Sequence, residues 1–140
     1  MDYKPSLADY QKIINDGNAD VLVDCASKIG KNIAQVKSSQ LRGIFASARQ
    51  IQINWPNGDS SKWDAETVQK ANDSYRQAVL LRPRIGYAGS RNSLFGLDEI
   101  LMEALKQVSG SHAERRQRFT HFVDFFEAIV AYHKMNGGRN

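Results

Sequence analysis

The chain has one cysteine, Cys25, in 140 residues. No intrachain disulfide can form, so a fold stapled by cross-links is excluded, and Cys25 reads as a small buried apolar side chain in a reducing compartment. Long hydrophobic runs are missing too. No stretch approaches the roughly 18 apolar residues needed to span a bilayer, and the N-terminus lacks the basic-then-apolar pattern of a secretory signal. We therefore expect a cytoplasmic protein with no membrane partner. Strand-like alternation, internal repeats and low-complexity tracts are also absent. So are HExxH, paired CxxC, P-loop and GxSxG motifs, and no constellation of residues marks an enzyme, a metal site or a cofactor. With 41% hydrophobic and 24% charged residues, disorder is not the expectation. A single domain over residues 1–140 has room for a core, since folding at this size removes about 70% of the extended chain's surface from water.

What is present is helical periodicity, strongest from Ser111 to Met135. Ser111 and Glu114 form a capping box, in which the hydroxyl accepts the Glu114 amide hydrogen and the carboxylate returns to the Ser111 amide. At about 100° per residue, Tyr132, Phe125, Ile129, Phe122, His133, Phe126, Phe119, Val130 and Val123 cover an arc of roughly 180°. That is wider than the stripe of a surface helix, so other helices must wrap it. Ala128 and Ala131 would admit a close neighbour on the far side, and Gly137 and Gly138 end the helix.

The rest of the chain follows the same pattern. Leu7, Tyr10 and Ile14 predict a short helix between Lys4 and Ile14, capped by Ser6 and stopped by Gly17. Leu22, Cys25, Ala26 and Ile29 predict a second, which is compatible either with ending at Gly30 or with reaching Val36. Ser38 to Trp55 places Leu41, Ile44, Phe45, Ala48, Ile51 and Trp55 on one arc of roughly 120°. Trp55 to Lys62 reads as a loop turning at Asn57-Gly58. Asp64 then caps a helix carrying Val68, Ala71, Tyr75 and Val79, which should break or kink at Pro83, because proline lacks an amide donor and disfavours helical geometry at Arg82. Leu94 to Val108 gives a further helix, separated from the last by Ser109-Gly110. The fold class is all-α, a single-domain bundle of five to six helices.

Charge is the main functional clue. The formal net charge is +4, and the arginines come in local groups whose planar forks match phosphate oxygens. A polyanion is therefore the first partner to consider. Arg42 and Arg49 point within about 20° of each other with Ala46 between them, a pair that suits either a phosphate backbone or a solvated face. Around Pro83, Arg82, Arg84 and Arg91 surround Tyr87 with two glycines. Glycine permits close approach of backbone to a ligand, or here ends one helix and starts the next. The run Arg115-Arg116-Gln117-Arg118 suits subunit stacking, RNA or solvent.

The histidines do not converge. On one helix His112 and His121 lie about 180° apart, and His121 and His133 about 120° apart. His133, inside the apolar arc, reads as a hydrogen-bonded core residue. Asp124 and Glu127 share a face, a spacing more typical of salt bridges or subunit contacts than of acid–base catalysis.

Three segments in order resemble one family. Lys37-Ser-Ser-Gln-Leu-Arg-Gly-Ile-Phe45, Leu81-Arg-Pro-Arg-Ile-Gly-Tyr-Ala-Gly-Ser-Arg91 and Phe125-Phe-Glu-Ala-Ile-Val-Ala-Tyr-His-Lys134 are similar to the small subunit of the type III-A CRISPR (Csm) effector complex. They cover about a quarter of the chain. Ser90 departs from the glycine that commonly precedes the last arginine there, and the Trp55–Ser61 loop is long for the family.

The resemblance implies a helical, non-catalytic subunit that stacks on copies of itself in a minor filament. That filament would lie beside the backbone subunits and CRISPR RNA, meet the large subunit and contact target RNA. By matched position Arg42, Arg82, Arg84 and Arg91 carry over as phosphate-facing residues; Lys37, Gln40 and Arg49 join them on the geometry above. Guide–target pairing would supply sequence information, leaving the small subunit to hold the backbone. The competing expectations are a purely structural subunit whose arginines meet acidic protein neighbours, and a nuclease using His121, Asp124 and Glu127.

Overall fold

An apolar arc covering half a helix needs neighbours on several sides. In the computed structural model, which describes residues 3–139, the last helix has them. The described residues form six α-helices and no strand: α1 (Leu7–Tyr10), continued by a π-helical turn (Gln11–Asn15), α2 (Ala19–Asn32), α3 (Ser38–Asn54), α4 (Ala65–Arg91), α5 (Leu97–Leu105) and α6 (His112–Met135). The π turn and α2 to α5 all pack on α6. None of these helices is long and apolar enough to cross a membrane.

Local chemistry starts most of the helices. Ser111 and Glu114 exchange the two hydrogen bonds of a capping box on α6. Ser6 and Asp9 do the same on α1, while Asn18 and Asp64 cap α2 and α4 through side-chain oxygens. Helices α3 and α5 start without a side-chain cap, α5 at Gly96. At α3 the cap comes from elsewhere in the chain. Its N-cap, Lys37, offers no acceptor, and the Arg139 carbonyl takes that place, accepting from the Ser38 amide at 2.6 Å and its hydroxyl at 2.8 Å. Arg139 in turn donates its amide to Ala34, and the buried His133 donates from Nε2 to the Val36 carbonyl at 2.8 Å. The end of the chain thus pins the start of α3.

Phe119, Phe122, Phe125, Phe126 and Ile129 of α6 are fully buried, and His133 nearly so. A row of ring contacts runs Trp55–Phe119–Phe122–Phe126–Phe45, with centroids 5.2, 5.7, 6.1 and 5.3 Å apart. Both ends of that row belong to the α3 region, so the aromatic core orients α3 against α6. Helix α2 approaches α6 tightly at Gly30, where a Cβ would lie 2.5 Å from Tyr132 Cβ. Gly30 therefore sits inside α2, and the helix ends two residues later. Ala131 on the far side of α6 is exposed and receives no such neighbour. Cys25 is buried; burial pushes its thiol up, and the Tyr3 hydroxyl donates to its sulfur at 2.9 Å.

Pro83 does not break α4, which runs unbroken through it. A proline inside a helix costs about 3 kcal/mol. Leu81 and Ile85 on either side of it are buried against the core, and each contributes roughly 1.5–3 kcal/mol, so packing outweighs the local penalty. Pro83 itself faces solvent. Gly86 and Gly89 do not end a helix. They lie within α4 and make room for α5: a Cβ on Gly86 would meet Met102 Sδ at 3.3 Å, and one on Gly89 would collide with the Asp98 carboxylate. Helix α5 begins at Leu97, later than its periodicity suggests, because Phe95 and Gly96 both take positive φ, 54° and 91°.

Candidate nucleic-acid interface

The unbroken α4 separates two arginines that adjoin the proline. At about 100° per residue, Arg82 and Arg84 point roughly 160° apart. Arg82 is half-buried and shares the side of α4 that carries Gly86 and Gly89, facing α5. Arg84 and Arg91, seven residues apart, share another side, and both are exposed.

Arg84 lies in a groove between α3 and α4. The groove holds about 690 Å³ and is lined by Ser47, Gln50 and Asn54 from α3 and by Lys70, Asp73, Ser74, Gln77 and Arg84 from α4, over the buried Ile51. A smaller recess of about 150 Å³ continues it past Gly43 and Ile85, again with Arg84 on its wall. The lining shows that the two helices run antiparallel, Asn54 beside Lys70 and Gly43 beside Ile85. Gln40, half-buried, is within about 20° of Ser47 on the groove side of α3. Lys37 is exposed at the helix start.

Arg42 and Arg49 occupy the opposite flank of α3. From them to the groove edge runs an exposed arc of roughly 160° that carries Ile53, Ala46, Gln50, Gly43 and Ser47. Apart from Ile53 beside Arg42, these are small or amide side chains, so this crest is low, with guanidinium groups on both sides. No carboxylate lies within 4 Å of Lys37, Arg42, Arg49, Arg82, Arg84 or Arg91 among the described residues. Arg91 instead donates to the Tyr87 hydroxyl at 3.1 Å and sits 5.7 Å from its ring, which is 63% exposed.

A methyl group on the crest would meet nothing, since no atom lies within 4 Å of a Cβ on Gly43. Gly43→Ala is therefore expected to stabilise the protein by about 1 kcal/mol through helix propensity alone. Thermal melting would register this as a rise of a few degrees, and a fall would show the crest to be covered.

The basic run on α6 is divided among three surroundings. Arg115 lies 3.8 Å over the Tyr75 ring. Arg118 bonds Glu114 at 3.5 Å and the Ser109 carbonyl at 3.2 Å. Arg116 turns to Asn57 of the α3–α4 loop. The sequence offers no signal separating Arg116 from its neighbours, nor one assigning Lys70 to the groove. The histidines are held apart as well: His112 edges Trp63 at 5.4 Å, and His121 donates from Nδ1 to the Ile14 carbonyl at 2.7 Å. Burial pushes the Asp124 carboxyl up; His121 and Arg49 oppose the shift and Glu127 adds to it. No group of three or more His, Cys, Asp or Glu among the described residues is placed to hold a metal ion.

The family model described as Csm2 Type III-A matches residues 16–139 of this chain. No curated protein and no solved structure matches it.

Proposed function

The chain belongs to the Csm2 Type III-A family, the small subunit of the type III-A CRISPR complex, and on that premise we propose that it is a non-catalytic RNA-backbone clamp. It grips target RNA, or its duplex with the guide, without reading bases, and stacks on copies of itself beside the backbone and large subunits in antiviral defence. The observation that carries this reading is the low crest of α3 flanked by Arg42 and Arg49 on one side and Arg84 on the other. None of the three is neutralised by a described carboxylate. Helix α3 spans about 25 Å, and a strand laid along it meets guanidinium forks from both flanks. Amides and hydroxyls line most of the groove between, with Lys70 and one carboxylate, Asp73, on the α4 wall. Such contacts position a backbone and carry no sequence preference. The non-catalytic part of the reading is supported by the engagement of His121 with a main-chain carbonyl, away from any second histidine.

The test is target-RNA binding by the assembled complex carrying Arg42→Ala plus Arg84→Ala. Loss of two phosphate contacts is expected to weaken binding about tenfold and to flatten the salt dependence by about 1.4 in slope, at ~0.7 per single-strand phosphate. An unchanged affinity and slope would sink the assignment. Crosslinks confined to protein would make these arginines contacts to neighbouring subunits.

A further inference from the structure

Arg49 and Arg116 come from different helices, α3 and α6, and line one recess of about 390 Å³. Its floor is apolar, formed by the buried Trp55 and Phe119. Thr120, one turn beyond Arg116, adds a hydroxyl to the wall.

Each guanidinium is held by a neutral acceptor. Arg49 donates from Nη1 to Gln52 Oε1 at 2.5 Å, and Arg116 from Nη2 to Asn57 Oδ1. An amide oxygen orients the fork as a carboxylate would but leaves its charge uncompensated. No described carboxylate lies within 4 Å of either arginine. The Asp124 carboxyl feels Arg49 without bonding it. The contrast with the rest of the basic run sharpens the point, because Arg115 is spent on Tyr75 and Arg118 on Glu114. Two oriented cations facing one concavity with no anion between them repel each other, and an anion of matching geometry relieves that repulsion.

We propose that this recess is a binding site for a phosphate group, gripped between the forks of Arg49 and Arg116, with room on the apolar floor for the attached sugar. A phosphate held there comes either from a polynucleotide backbone or from a free phosphate or mononucleotide. The polynucleotide source rests on the reading of α3 given above, since Arg49 also flanks the crest; the site itself does not.

The full chain is titrated with inorganic phosphate, with uridine 5′-monophosphate and with a labelled uridine oligonucleotide bearing a 5′-hydroxyl. Arginine side-chain resonances and oligonucleotide anisotropy are followed. Phosphate or mononucleotide at millimolar concentration is expected to shift the Arg49 and Arg116 Nε–H signals, and a response to the oligonucleotide alone would assign the site to backbone phosphodiesters. Arg49→Gln and Arg116→Gln should each weaken oligonucleotide binding about tenfold. Arg116→Lys keeps the charge and the packing of the stem while losing the fork; it should melt with the parent and still bind at least threefold more weakly. Asp124→Asn should tighten binding, since it removes an anion that is coupled to Arg49. Arg84→Gln weakens oligonucleotide binding if the α3 crest is used and leaves the shifts caused by free phosphate unchanged, so the two assignments fail separately. If no ligand shifts either arginine and Arg116→Lys binds the oligonucleotide like the parent, the recess is not a phosphate site.

Discussion

Replacing Phe122 with alanine is expected to remove about 3–5 kcal/mol of stability, a large share of the roughly 5–15 kcal/mol available to a domain. The ring has no exposed surface and is the middle member of the five-ring row that begins at Trp55 and ends at Phe45. Its removal costs the transfer energy of a buried aromatic and leaves a cavity that the neighbouring rings close only in part. Because both ends of the row belong to the α3 region, the damage falls on the joint that orients the arginine-flanked crest. Urea unfolding followed by far-ultraviolet circular dichroism measures the loss. A change below about 1 kcal/mol would mean that the surrounding side chains collapse freely and that the row does not hold α3.

Gly30→Val is expected to destabilise by about 3 kcal/mol, although valine is the better helix former. A Cβ at residue 30 would stand 2.5 Å from Tyr132 Cβ, 2.8 Å from the Tyr132 carbonyl carbon and 3.1 Å from the His133 amide nitrogen. Two of those atoms are main chain within α6 and cannot rotate away. Propensity favours the substitution by less than about 1 kcal/mol, so the steric term decides the sign. The comparison with Gly43→Ala separates the two effects, since that position is helical but open. Equal stabilisation by both substitutions in thermal melts would contradict the close α2–α6 contact. The same crowding explains why the sequence leaves the end of α2 open: a glycine that admits a neighbouring helix and one that ends a helix look alike without the neighbour.

Much of the fold was legible because the interactions that start and face a helix are local. The Ser111–Glu114 box, the Asp64 cap and the half-circumference apolar arc of α6 each depend on residues three or four apart, and each is found as expected. The candidate site was less legible. Arg42 and Arg49 fall on one flank of α3, as their spacing requires. The segment around Pro83, in contrast, reads as a break or kink bearing three arginines together, whereas the unbroken helix sends Arg82 toward α5 and Arg84 into the groove. The start of α3 at Ser38 was legible, but the acceptor that caps it was not, since Arg139 supplies it from about a hundred residues away in sequence.

The sequence by itself determined five to six helical segments, their core-facing sides, a lone buried thiol and an excess of arginine, because spacing and composition set these without reference to the rest of the chain. Only the tertiary structure decided that α4 passes through Pro83, that Gly86 and Gly89 seat α5, and that Arg116 joins Arg49 while Arg115 and Arg118 turn elsewhere. The physical reason is that burying Leu81 and Ile85 against distant helices outweighs a local helix penalty of about 3 kcal/mol. Likewise, which charge an arginine meets depends on elements that arrive from far along the chain.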